Sequence, residues 1–165
     1  DDPSMLWWDI RPSAKFPTLE MRITDVCTRL DDAITIAALY CSILGMLRRL
    51  RRDNQRWRRY AAMLVNENRW RAQRYGLDEG LVDFGKGELV PCAVLLDELI
   101  ALVEPDATAM GCLDEVLMAR DIVTRGTSAH RQLAVYEEVL AKGGDDKQAL
   151  IAVVDMLIAE TAEGL

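Results

Sequence analysis

The chain has 165 residues and a mass of 18.6 kDa, with 50% apolar and 6% aromatic residues, a size that suits one domain burying roughly 70% of its unfolded surface. Its net charge of -7 argues against nucleic acid as a general partner, because neutralising phosphates takes a positive surface. No uninterrupted apolar run approaches the ~18 residues of a membrane span and no signal-peptide pattern opens the chain, so neither a membrane nor a secretory partner is expected.

The first candidate elements are two strands. With a period of two, Leu6, Trp8 and Ile10, then Leu19, Met21 and Ile23, fall on one face, while Trp7, Asp9 and Arg11, then Thr18, Glu20 and Arg22, fall on the other. Pro12 and Pro17 bracket a loop, since proline has no N–H to give a ladder. A hairpin closing around Pro12 to Pro17 sets Asp9 across from Glu20 and Trp7 across from Arg22. Such a polar face suits the solvated side of an antiparallel sheet. It equally suits a metal-bound polyphosphate, with Glu20 offering oxygens to Mg²⁺ and Arg22, about 7 Å along the strand, offering donors to phosphate.

Next, Thr28 or Asp31 caps a helix with apolar residues at Ile36, Leu39, Ile43, Leu47, Leu50, Trp57, Ala61 and Leu64. One helix from about Arg29 to Val65 would be about 55 Å long, so it bends, breaks near Asp53-Asn54 or spans a larger assembly; the last is favoured. Between Arg48 and Arg74 ten arginines stand against Asp53 and Glu67, a local +8 that leaves -15 for the remainder. The arginines up to Arg59 lie opposite Leu47, Leu50 and Trp57 on a helical wheel. Three readings fit: a solvated helix face, a field steering nucleotide or anionic substrate, or a nucleic-acid contact.

A short helix from Glu67 to Tyr75 stops at Gly76. Of its arginines, Arg74, near the helix end, is the one expected to face a site more readily than its neighbours; the alternative is that Trp70 packs and the arginines hold carboxylates in place. Gly80 to Val90 predicts two very short strands around Gly85-Lys86-Gly87, without the spacing of a phosphate loop; Lys86 is either exposed or reaches an anion. Pro91 opens a helix that Pro105-Asp106 ends. A further helix from about Asp106, interrupted at Gly111-Cys112, runs to Gly126. Thr127 or Ser128 caps another through Leu140 to Gly143-Gly144, and Asp145 or Asp146 caps the last. His130 and Arg131 sit in a first turn that favours anions, so an anion site with Ser128 and an ordinary capped helix are both open. Cys27, Cys41, Cys92 and Cys112 lie far apart, without Cys-x-x-Cys and with one histidine, which predicts free, mostly buried thiols, no zinc site and a reducing cytoplasm.

The run from Phe16 to Cys27, preceded by Trp7-Trp-Asp-Ile-Arg-Pro12 and followed by Glu67-Asn-Arg-Trp-Arg-Ala-Gln-Arg-Tyr-Gly76 and Thr127-Ser-Ala-His-Arg131, closely resembles the bacterial carboxylate-amine ligases of the type 2 glutamate-cysteine ligase family. The resemblance covers only the C-terminal portion of such proteins and, with a chain beginning Asp1-Asp2-Pro3, implies a truncated, cleaved or split product. It implies an α+β fold: an N-terminal antiparallel hairpin belonging to a glutamine-synthetase-like sheet (residues 1–27), then a mainly helical region (28–165). It also implies ATP and Mg²⁺, a glutamate-like carboxylate and a cysteine-like amine joined through an acyl phosphate. Glu20 then maps onto a Mg²⁺ ligand and Arg22 onto the arginine for the transferred phosphoryl group, the two catalytic candidates; Asp9, Arg11 and Arg74 are candidates for binding substrate. One carboxylate and one arginine are too few to hold Mg²⁺ and ATP. Activity is therefore expected to require a complementary N-terminal chain or a homo-oligomer, and a non-catalytic helical module that docks a partner is the alternative.

Overall fold

A computed structural model describes residues 5–163; the opening Asp1-Asp2-Pro3 lies outside the described residues. The fold is α+β. Strands β1 (Ile10–Pro12) and β2 (Leu19–Met21) form one antiparallel hairpin and β3 (Leu81–Asp83) and β4 (Glu88–Val90) another, with seven helices among the described residues around and after them.

The first hairpin keeps the expected faces but not the expected register. Arg11 pairs with Glu20 and Ile10 with Met21, and the Arg22 N–H donates to the Asp9 carbonyl at 2.8 Å. The pairing is therefore shifted by two residues, and Asp9 does not face Glu20. Two local causes favour the shift. The Ser13 hydroxyl accepts from the N–H groups of Lys15 and Phe16, and the Ser13 N–H donates to the Thr18 carbonyl at 3.0 Å, closing the loop there. The shift also replaces a like-charged cross-strand pair by opposite charges. Because it is even, each side chain stays on its face.

Helix α1 (Leu30–Arg52) carries Asp31 and Asp32 in its first turn and Arg49, Arg51 and Arg52 in its last, complementing its dipole. Its N-cap is Arg29, without a side-chain cap; Thr28 instead donates its hydroxyl to Glu160 at 2.6 Å. The predicted single helix to Val65 breaks at Asp53-Asn54. Asn54 takes a φ of +57°, a left-handed conformation asparagine tolerates, and α2 (Ala62–Tyr75) begins only after a non-helical connector. The wheel that placed Arg56, Arg58 and Arg59 on one helical face therefore does not apply. By length and composition α1 is apolar enough to cross a membrane, which corrects the expectation that no segment comes close. Its charges sit at its ends and leave the middle uncharged. In the fold Thr35, Ala38, Ser42 and Met46 are buried, and α1 packs on α3 (Cys92–Met110) and α4 (Leu113–Leu117).

Helix α3 runs unbroken through Pro105, contrary to the sequence expectation. Val103 and Ala107 are fully buried on either side of the proline, while Ala101, whose carbonyl loses its partner, is exposed to water. Burial of the apolar face outweighs one missing hydrogen bond. Val103 and Ala107 join Ala38, Met46, Ile100 and Val116 in the core. Gly111, at φ +70°, ends α3, and α4 and α5 (Ala119–Arg125) follow to Gly126. Helices α6 (Ser128–Ala141) and α7 (Asp146–Ala162) pack mainly on each other. Asp145 caps α7 by accepting from the Gln148 N–H at 2.8 Å. All four thiols are free, but Cys41 is exposed and the other three are only half-buried.

Candidate functional site

The β1–β2 hairpin presents a line of alternating charges. Glu20 stands in its centre: Arg11 donates through Nε and a terminal nitrogen to Oε2 at 3.0 and 2.7 Å, and Arg22 donates to Oε1 at 2.6 Å. Glu20 and Arg22, on one strand two residues apart, thus project together, as the alternation requires. Arg22 also lies over the Trp7 ring, 4.8 Å from its centroid. At one end Asp9 pairs with Arg69 of α2 at 2.9 Å. The side chains of Arg11 and Arg22 are more enclosed than that of Glu20, at 18% and 24% exposed against 48%. The hydrogen bond from Arg11, seconded by the charges of both arginines, holds the Glu20 carboxyl below the usual carboxylate range.

Three arginines against two carboxylates leave this cluster with a net +1, which suits an anion. Both Glu20 oxygens are engaged by guanidinium, and among the described residues no three of His, Cys, Asp and Glu come together as a metal set. These residues by themselves do not fit a resident Mg²⁺. Two shallow apolar concavities run along α7, lined by residues such as Leu150, Val154 and Ile158. Neither reaches the hairpin, whose charged face is open.

Asp9, Arg11, Glu20 and Arg22 are brought together as the alternation predicts, but Arg74 is not among them. It is exposed and lies against the Tyr75 ring. Arg69, which was not singled out, takes the place beside Asp9. The two are five residues apart and so about 140° apart around a helix, which bars both from one site. The third arginine of the segment, Arg71, donates to the Gly80 and Glu79 carbonyls at 3.2 Å. Asn68 exchanges two hydrogen bonds with the Val82 backbone, at 2.9 and 2.7 Å. These contacts tie α2 to β3 and thereby fix where Arg69 points.

The other sequence candidates have structural partners. His130 Nδ1 accepts from the Thr127 N–H at 3.1 Å as part of the α6 cap, and its Nε2 lies 3.3 Å from Asp78. Arg131 forks onto Glu160 at 2.6 and 3.0 Å, so the first turn of α6 is occupied by its own contacts. Lys86 pairs with Asp83 and Glu98 at 3.4 Å.

The sequence matches glutamate-cysteine ligase family 2 over residues 1–155. The chain belongs to that family. It is 63% identical over its full length to a protein of Rhodospirillum rubrum named "Putative glutamate--cysteine ligase 2". Proteins of the same name from Jannaschia sp. and Sorangium cellulosum are 52% identical over 97% of the chain and 44% identical over all of it. The chain spans 42% of the length of each of these three relatives. The charged hairpin of this family member and the α2 segment that supplies Arg69 both lie within the matched residues.

Proposed function

We propose that this chain is the C-terminal portion of an ATP-dependent carboxylate-amine ligase and contributes the charged hairpin face to an active site completed by further polypeptide. Family membership over residues 1–155 supports the reaction class. The observation that carries the site is the joint projection of Glu20 and Arg22 from β2, 2.6 Å apart.

In such a reaction the γ-phosphoryl group of ATP passes to a substrate carboxylate and ADP leaves; the amine nitrogen then attacks the acyl carbon and phosphate leaves. Charge builds on phosphoryl oxygens, and fixed donors aimed at them lower the barrier. Arg22, braced by Glu20 and by the Trp7 ring, is the donor for that charge. Arg11 serves the same face, while Arg69 holds Asp9 and with it the edge of β1. Mg²⁺, when bound, would neutralise polyphosphate charge; the hairpin residues by themselves do not hold it. A glutamate-like acid and a cysteine-like amine are the substrates of this reading.

The purified chain alone is expected to show no ATP hydrolysis dependent on added carboxylate and amine. Hydrolysis by the chain alone would remove the claim that it is incomplete. In a complex that restores turnover, Glu20→Gln and Arg22→Met should each lower kcat by about 10²-fold or more, the scale of losing one transition-state donor. Unchanged turnover in both variants would take the hairpin out of the active site.

A further inference from the structure

We infer that the surface from the end of α1 through the connector to the first turns of α2 is a docking face for the part of a family-length protein that this chain does not span, recognised through carboxylates on that part. The inference rests on the reading that the chain works within a longer assembly. Elsewhere in the molecule several arginines find acids: Arg29 with Glu163, Arg125 with Asp32, Arg131 with Glu160. Along this stretch Arg51, Arg56 and Arg59 are exposed and have no acid partner among the described residues. Guanidiniums this near in sequence, with Asp53 the acid among them, repel one another, and an acidic face relieves that repulsion.

Exposed apolar groups share this stretch of chain. Trp57, Met63 and Val65 are 40%, 76% and 49% exposed, and α2 buries none of its residues. Arginine, tryptophan and methionine on a surface without lysine is the composition of a protein interface. The planar guanidinium fork matches a carboxylate in two bonds, which an ammonium does not. Methionine and valine side chains give an apolar centre that a phosphate strand does not use, so a polypeptide fits better than a nucleic acid. The relatives supply the occupant, since more than half of their length lies outside the match.

The test produces this chain in the same cells as the remainder of the Rhodospirillum rubrum relative and purifies through a tag on the chain. A one-to-one complex is expected, with affinity falling at least about tenfold between roughly 50 and 500 mM salt. The triple variant Arg51→Glu, Arg56→Glu, Arg59→Glu should weaken it more than tenfold, whereas Lys147→Glu on α7 should not. Circular dichroism checks that the variant chain is folded. Absence of a complex, or a complex indifferent to the triple variant, overturns the proposal. So does a homodimer of the chain broken by the same variant, which would give the surface to a second copy. The ligase reading fails separately: a complex that depends on the three arginines but turns over normally with Glu20→Gln and Arg22→Met leaves the docking face standing without the active site.

Discussion

Glu20 joins two arginines that would otherwise repel each other, and its ionisation controls whether they stay together. Its carboxyl sits below the usual range because Arg11 and Arg22 favour the charged form. A carboxyl lowered on folding contributes stability above its unfolded pKa of about 4.3, and that contribution is lost as pH falls through the lower folded value. Arg22 lies over Trp7, so the environment of that tryptophan reports the cluster. Taken as the difference between the wild type and a Trp7→Phe variant, Trp7 fluorescence is expected to hold steady through pH 5 and to change only below the ordinary glutamate range. Glu20→Gln should abolish the transition. A midpoint at or above the ordinary range would show that the arginines do not hold Glu20 in solution. Alternation alone places Glu20 and Arg22 on one face, whereas their partners depend on register. Register was set by the Ser13 turn, and no periodicity contains that.

At the scale of elements, helices ended where a residue's own backbone preference agreed with its surroundings, and ran on where burial opposed it. Gly76, Gly111 and Gly126 all stop helices at positive φ, as read from the sequence. Pro105 does not, because Val103 and Ala107 are buried around it. The second hairpin depends on a closer approach. Gly80 has a φ of +67°, and a Cβ there would lie 2.5 Å from the Val90 carbonyl oxygen. Gly80→Ala should therefore destabilise the protein by about 2–3 kcal/mol, from a strained backbone and the clash together, as measured by urea unfolding. Since Arg71 grips the Gly80 carbonyl, the variant should also loosen α2, seen as faster amide exchange there. A change under 0.5 kcal/mol would mean that this hairpin is not held as described.

Across the whole molecule, Glu160 is both a tie within the α6–α7 pair and a link from it to the segment before α1. Arg131 of α6 forks onto Glu160 of α7, while Thr28 donates to the same carboxylate and Arg29 pairs with Glu163. Glu160 is 13% exposed in its side chain and Arg131 17%. The Arg131 hydrogen bonds hold the Glu160 carboxyl below its usual range, so this link is intact at neutral pH and lost in acid. Glu160→Gln is expected to cost about 2 kcal/mol, the scale of a charge-assisted hydrogen bond lost at a part-buried site, with amide protection falling more in α7 than in α3. Equal losses in both helices would indicate that the two parts unfold as one unit.

The family, the α+β class, the charged face of the first hairpin, the stops at three glycines and a cap at Asp145 or Asp146 were all decided by the sequence itself. Each depends on a residue's own geometry, on short-range periodicity or on a recognisable local motif. The break of α1 at Asn54, the passage of α3 through Pro105, the choice of Arg69 over Arg74 and the pairing of Arg131 with Glu160 were decided only by the tertiary structure. In those cases two or more local conformations lie within a few kcal/mol of each other, and the outcome is set by which one buries the core and pairs charges that are distant in sequence.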